Sequence, residues 1–230
     1  MDAVPTHTGN KTNMKTQPKP ERTIKSVYSL VAGLLLLGSA NLRAVEPDNK
    51  VVLHYKTVTL GYAYSPDYAE SNEDLHEANL NVSYDIANFL LGVDVGNGWL
   101  TADDLNVFQV HPTLGYIIKP TERIHLIPQV GAQYMRFHDW DYWYADSWNI
   151  DATLRLNVAA TDRIQVGVFG GYIWNVDAEL LGWDAELDDT WTVGVDARFA
   201  VTDNFGISPF LTYQEEWEVL RFGVGLTFGF

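Results

Sequence analysis

The side chains in this chain that can do chemistry are histidines and carboxylates. There is no cysteine, so thiolate nucleophiles, thiolate metal sites and disulfides are excluded. Two histidines sit among acids: His76 with Glu73, Asp74 and Glu77, and His138 with Asp139 and Asp141. His76 with Asp74 and Glu77 has the donor types of a divalent-cation site at nonspecific spacing, and no metal or cofactor is expected. A serine nucleophile needs a histidine in reach and an oxyanion hole. Serines are few and Gly-x-Ser-x-Gly is absent. Solvated acidic loops account for the same residues without chemistry, so no catalytic residue is assigned.

The acids dominate the charge. The net charge is −15, which argues against nucleic acid as a partner, because phosphate binding needs clustered Lys and Arg. The acids gather at 67–74, 103–104, 139–146, 177–189 and 215–216, with Arg136 almost the sole cation nearby. Such a rim concentrates cations and repels anions. It serves equally for solubility and for cation-bridged contact with an anionic surface.

The elements that position these residues have a period of two. Leu220, Phe222, Val224, Leu226, Phe228 and Phe230 alternate with Arg221, Gly223, Gly225, Thr227 and Gly229. Ten strands are expected, at about 51–64, 77–86, 88–97, 106–118, 123–136, 147–158, 163–175, 190–201, 204–214 and 217–230. Eight is the alternative, should the first segment and one weak strand be misread. Thr121-Glu122-Arg123-Ile124, Thr161-Asp162-Arg163-Ile164 and Thr202-Asp203-Asn204-Phe205 repeat at the turns, and Asp85 to Phe89 is a degenerate fourth copy. Short turns therefore alternate with longer loops at about 65–76, 98–105, 137–146 and 176–189. Pro112, Pro128 and Pro209 remove ladder donors and are expected near bulges or strand ends.

Before the strands, Lys19, Arg22 and Lys25 precede an apolar run from Val27 to Gly38. That is the pattern of an export signal, too short to span a bilayer. Residues 1–44 are assigned to an extension and signal, with Met14 the better start and cleavage after Ala40 or Ala44. Residues 45–230 form the folded domain.

Alternation alone leaves open whether the apolar face points in or out. The other face carries Asn79, Asn81, Gln109, Gln133 and Asn149, with the charges Asp94, Asp151, Arg155, Asp196, Arg198 and Arg221. The eight tryptophans all fall at or beside the long-loop ends, where an indole suits a membrane interface. Tyr84, Phe89, Tyr116, Phe199, Phe205 and Phe228 form an opposite ring. Two aromatic girdles around an aliphatic band place the apolar face in lipid. The charges listed above then line the lumen, where Arg155 is expected to pair with Asp196 or Asp151 in a network that includes Arg198.

The alternating strand ending in Phe228 and Phe230 resembles the bacterial outer-membrane β-barrel superfamily, over residues 51–230 as a pattern. In size it is similar to the small OmpA-, OmpX- and OmpW-type barrels. The resemblance implies a closed antiparallel up-and-down barrel in the outer membrane, with Phe228 and Phe230 as the signal read by the barrel-assembly machinery. It also implies lipid and lipopolysaccharide as surroundings. The function expected is a narrow, cation-preferring pore or a structural envelope barrel. The alternative is an adhesin binding ligand through His138, Asp139, Trp140, Asp141, Tyr142 and Trp143. A barrel enzyme is third. The oligomeric state stays open.

Overall fold

In the computed structural model, the described residues are 53, 55–68, 73–101, 106–138, 144–180, 183–184, 188–216 and 218–230. The expected leader over 1–44 lies outside them, as do Asp139 to Trp143. The strands are β1 (Thr57–Ser65), β2 (Leu75–Ile86), β3 (Phe89–Leu100), β4 (Asn106–Tyr116), β5 (Ile124–His138) and β6 (Tyr144–Ala159). They continue as β7 (Ile164–Leu180), β8 (Trp183–Asp184), β9 (Thr190–Ala200), β10 (Phe205–Gln214) and β11 (Val219–Gly229). All pair antiparallel with their chain neighbours; β8 is a two-residue rung on the end of β7, and β9 pairs with β7 directly. The first strand pairs with the last, β1 on β11, and β6 pairs with β7, so the sheet returns on itself. Ten staves therefore close into one barrel with no free edge, which sets aside the eight-strand alternative.

The alternation sorts the side chains as a membrane barrel requires. Leu60, Val130, Ile150, Leu154, Val224 and Leu226 are among the most exposed large apolar residues, whereas Asn149, Asp151, Asn157 and Thr227 are buried inside. An apolar exterior over a polar interior is the reverse of a water-soluble fold. Trp99, Trp148, Trp174 and Trp191 stand exposed at the long-loop end, with Tyr134 against Trp148 and Tyr172 against Trp174 and Trp191. At the short-turn end Phe89 packs on Tyr116, Phe205 on Phe228 and Tyr84 on Phe230.

The repeated turns have a common device. Thr121 Oγ1 accepts from the backbone N–H of Arg123 (3.2 Å) and Ile124 (3.0 Å). Thr161 Oγ1 accepts from those of Arg163 (3.1 Å) and Ile164 (3.0 Å), and Thr202 Oγ1 from that of Phe205 (3.1 Å). Each hydroxyl occupies donors that the tight reversal leaves without a strand partner. Thr161→Val, which keeps the shape and removes the acceptor, is expected to lower stability by about 1 kcal/mol in urea unfolding. The degenerate copy works differently: Ile86 pairs directly with Phe89, and Ala87 takes a positive φ of 56°.

Two expectations need correction. First, β1 begins at Thr57 rather than near residue 51, because Leu53 and Tyr55 turn into the lumen instead of continuing the sheet. Second, the prolines sit inside strands, with no register shift at any of them. Pro112 falls in a gap of the β4–β5 ladder and Pro209 in a gap of the β9–β10 ladder. Pro128 lies where the β4–β5 ladder lapses before the Ile118–Leu126 bridge. A missing N–H costs only local rungs when the other neighbouring ladder continues, as it does at Leu154 and Val224. The bulge is elsewhere, at Trp148/Asn149.

Candidate lumen site

The interior is crossed at several heights. Near the long-loop end Glu77 on β2 accepts from Arg221 Nη2 (2.5 Å) and Gln109 Nε2 (2.9 Å), and Gln109 Oε1 accepts from Gln133 Nε2 (3.1 Å). At mid-height His111 Nε2 meets Asp151 Oδ2 at 2.6 Å. Lower down, Arg155 pairs with Asp196, and its Nε donates to Asn157 Oδ1 (2.9 Å). The Arg155 and Arg221 guanidinium groups also stack on Phe169 and Phe210.

The three pairs share a geometry that alternation alone does not reveal. Each joins two strands across the one between. Arg155 on β6 reaches Asp196 on β9 over Gly167 of β7, where a Cβ would stand 2.5 Å from Arg155 Nη2. His111 on β4 reaches Asp151 on β6 over Gly131 of β5, where both partners leave no space for a side chain. Arg221 on β11 reaches Glu77 on β2 past Ala63 of β1, itself fully buried.

Sequence reasoning places Arg155 with Asp196 or Asp151, and the structure brings it to Asp196, leaving Asp151 to His111. Asp94 faces the same lumen. Arg198 does not join the network: its Nε and Nη1 are buried without a partner, because Asp196, two residues away on the same face, is already taken. Glu77 does not join His76, since adjacent strand residues face opposite sides. His76 turns outward to bond Tyr62 and stack on Trp99, while Glu77 becomes the hub of the lumen. The signal for that role was available in Leu75, Glu77, Asn79 and Asn81, which alternate inward.

A further feature escaped sequence reasoning. Leu53 and Tyr55, just ahead of β1, pack with Leu90, Ile117, Ile127 and Ala159 in an apolar cluster inside the short-turn end. The Tyr55 hydroxyl lies 2.9 Å from His125 Nδ1 and accepts from Asn157 Nδ2 (3.3 Å). The segment before β1 thus crosses the lumen to β5 and β6 as a strap. Beside it a cavity of about 380 Å³ remains, bordered by residues of all ten staves and by Tyr55 itself, with Thr59, Asp94, Arg155, Asp196, Arg198 and Thr227 in its lining.

Against the solved structures, this architecture has counterparts. The chain is similar to the COG4313 outer membrane channel from Pseudomonas putida F1, at 12% identity over 81% of this chain and 100% of that one, with a TM-score of 0.50. It is also similar to a KdgM porin, at 12% identity over 76% and 99% with a TM-score of 0.42. The translocator domain of the autotransporter NalP from Neisseria meningitidis matches at 8% identity over 90% and 98%, with a TM-score of 0.49. The fold is that of an outer-membrane β-barrel. No family model and no curated protein matches the sequence.

At the rim of this barrel, acids are held by the aromatic girdle. Tyr64 donates to Asp74 (2.6 Å), Tyr134 to Asp146 (3.0 Å) and Tyr172 to Asp189 (3.2 Å). Arg136 also grips Asp146 through Nε (2.8 Å) and Nη2 (3.1 Å). The Tyr64 hydroxyl, then the Asp67 backbone N–H, hold the Asp74 carboxyl below the usual carboxylate range. A depressed carboxylate favours the latched loop above its unfolded pKa, and that preference fades as pH falls through the lowered value. An NMR pH titration should therefore find Asp74 ionising below ~3.9, the model-peptide value, with Tyr64→Phe moving it back up.

Proposed function

We propose that this chain is a small outer-membrane channel, closed at rest by its own side chains, whose outer mouth favours cations. The observation that carries the reading is the lumen itself. A polar cavity runs beside three ion pairs that project inward from the wall and an apolar strap, an interior built from groups that can move aside without breaking the wall. The similarity to a structure described as an outer membrane channel supports the same reading at the level of fold.

The cation preference rests on the rim. Asp67, Asp74, Asp177, Asp188, Asp189 and Glu216 ring the long-loop end, and tyrosine hydroxyls orient Asp74 and Asp189 without removing their charge. Negative potential at a narrow mouth raises the local concentration of cations.

Planar-bilayer recording of the refolded protein tests this. A small conductance is expected, with a reversal potential of cationic sign in a KCl gradient. Arg155→Ala removes a pair that projects into the lower lumen from the β6–β9 wall and is expected to raise single-channel conductance. Silence from both the wild type and Arg155→Ala would mean a structural envelope barrel instead.

A further inference from the structure

Arg198 stands apart from the other lumen arginines. Arg155 has Asp196 and Arg221 has Glu77, whereas among the described residues Arg198 has neither a carboxylate nor a hydrogen-bond partner, and its Nε and Nη1 are shut away from solvent. Buried donors are almost always satisfied, and leaving them unmet is costly. A guanidinium with no protein partner that borders a cavity is therefore a group waiting for an acceptor.

Its surroundings are suited to one. Arg198 pairs with Gln165 on β7 and lies along the inner face of β10, where a Cβ on Gly206 would stand 3.4 Å from Arg198 Cγ and Nε. Its Nη2 extends towards Gly229 at the short-turn end of β11, 3.5 Å from where a Cβ would be. Across β10, β11 and β1 runs a ladder of hydroxyls, Ser208 to Thr227 at 2.7 Å and Thr227 to Thr59 at 2.9 Å. Arg198, Gln165 and all three hydroxyl residues line the same cavity. The strap formed by Leu53 and Tyr55 packs against β3, β5 and β6, and Tyr55 borders the same cavity.

We propose that the cavity beside Arg198 is a binding site for a small oxyanion, a carboxylate or phosphate group that the guanidinium fork takes once the side chain turns its shut-away edge into the cavity, flanked by the Gln165 amide and the Ser208–Thr227–Thr59 hydroxyls. A planar fork of charged donors matches either group, and the hydroxyls add neutral donors. Two carboxylates line the same cavity, Asp196, whose charge Arg155 already offsets, and Asp94 on β3, five staves from β9. The site lies at the opposite end from the acidic rim, so the rim does not repel its ligand over the short range at which charges act in salt. The proposal does not depend on conduction: a silent barrel can hold an anion there.

Thermal unfolding of the refolded barrel in detergent reads it out, with sodium phosphate and sodium acetate each titrated against sodium chloride at matched ionic strength. Phosphate or acetate is expected to raise the unfolding temperature saturably above the chloride control. Arg198→Gln should abolish the rise, Arg198→Lys should weaken binding at least tenfold because the fork is lost, and Arg136→Gln at the rim should leave it intact. Without added anion, Arg198→Gln is expected to be as stable as the wild type, since the side chain it replaces has no partner. No rise above chloride, or an equal rise in Arg198→Gln (an adventitious ion only), overturns the site. So does failure of Arg198→Gln to fold, which would show that the arginine is already satisfied by the protein.

Discussion

Leu154→Arg is expected to cost the barrel about 2–4 kcal/mol, the range for a cation placed on the lipid face at the bilayer midplane. Leu154 lies midway along β6, between Pro128 of β5 and Gly170 of β7, with its side chain half exposed on the outside. Lipid offers the guanidinium neither water nor a counter-charge, so it must snorkel or drag water inward. The matched control is Thr153→Arg, one residue away on the inner face of β6 between Asp151 and Arg155, which should cost far less. Val224→Arg on β11 and Val166→Arg on β7 should behave like Leu154→Arg, with Val166 milder because it lies nearer the short-turn end. Urea unfolding in lipid vesicles measures all four. Equal costs on the two faces would mean that the barrel had been read inside out.

The second large effect belongs to Arg221→Met, expected to cost about 3 kcal/mol. Glu77 has a side chain only 9% exposed, and it relies on Arg221 for its one charged partner. Removing the arginine leaves a buried carboxylate with only the Gln109 and Asn79 amides. The figure is at the low end for a broken buried pair because Arg221 itself is 25% exposed at its side chain, so water can enter. Adding Glu77→Gln should restore most of the loss, since the stranded charge, not the lost contact, is the larger part of the penalty. If the double variant is as unstable as the single one, Glu77 is held by its packing and the ion pair is secondary.

The interior shows where one-dimensional reading stops. Gly167 announces itself in the sequence as a gap between Arg155 and Asp196, because all three fall on one face once the strands are aligned. Gly131 and Ala63 carry the same signal for His111–Asp151 and Glu77–Arg221. Reading it requires the registers of three consecutive strands at once, and for the last pair the closure of β1 on β11. The strap is harder still. Leu53 and Tyr55 continue the alternation of β1, and nothing local marks the point where the chain leaves the sheet; that point is set by whether Thr57 can pair on both sides, which depends on Gly229 and Ser83.

What the sequence determined by itself is the wall. A period of two puts every side chain on one of two faces, segregated tryptophans mark one end of the barrel, and at three of the short turns a threonine closes the reversal through its own hydroxyl. These are local properties, carried by residues a few positions apart. What only the tertiary structure decided is the content of the lumen: which carboxylate each arginine reaches, which arginine is left over, and which segment crosses the opening. Charges on one face of ten strands can pair in many ways, and the choice is made by barrel curvature and stagger, which bring strands two apart within reach over a glycine or alanine and leave Arg198 without a partner beside the cavity.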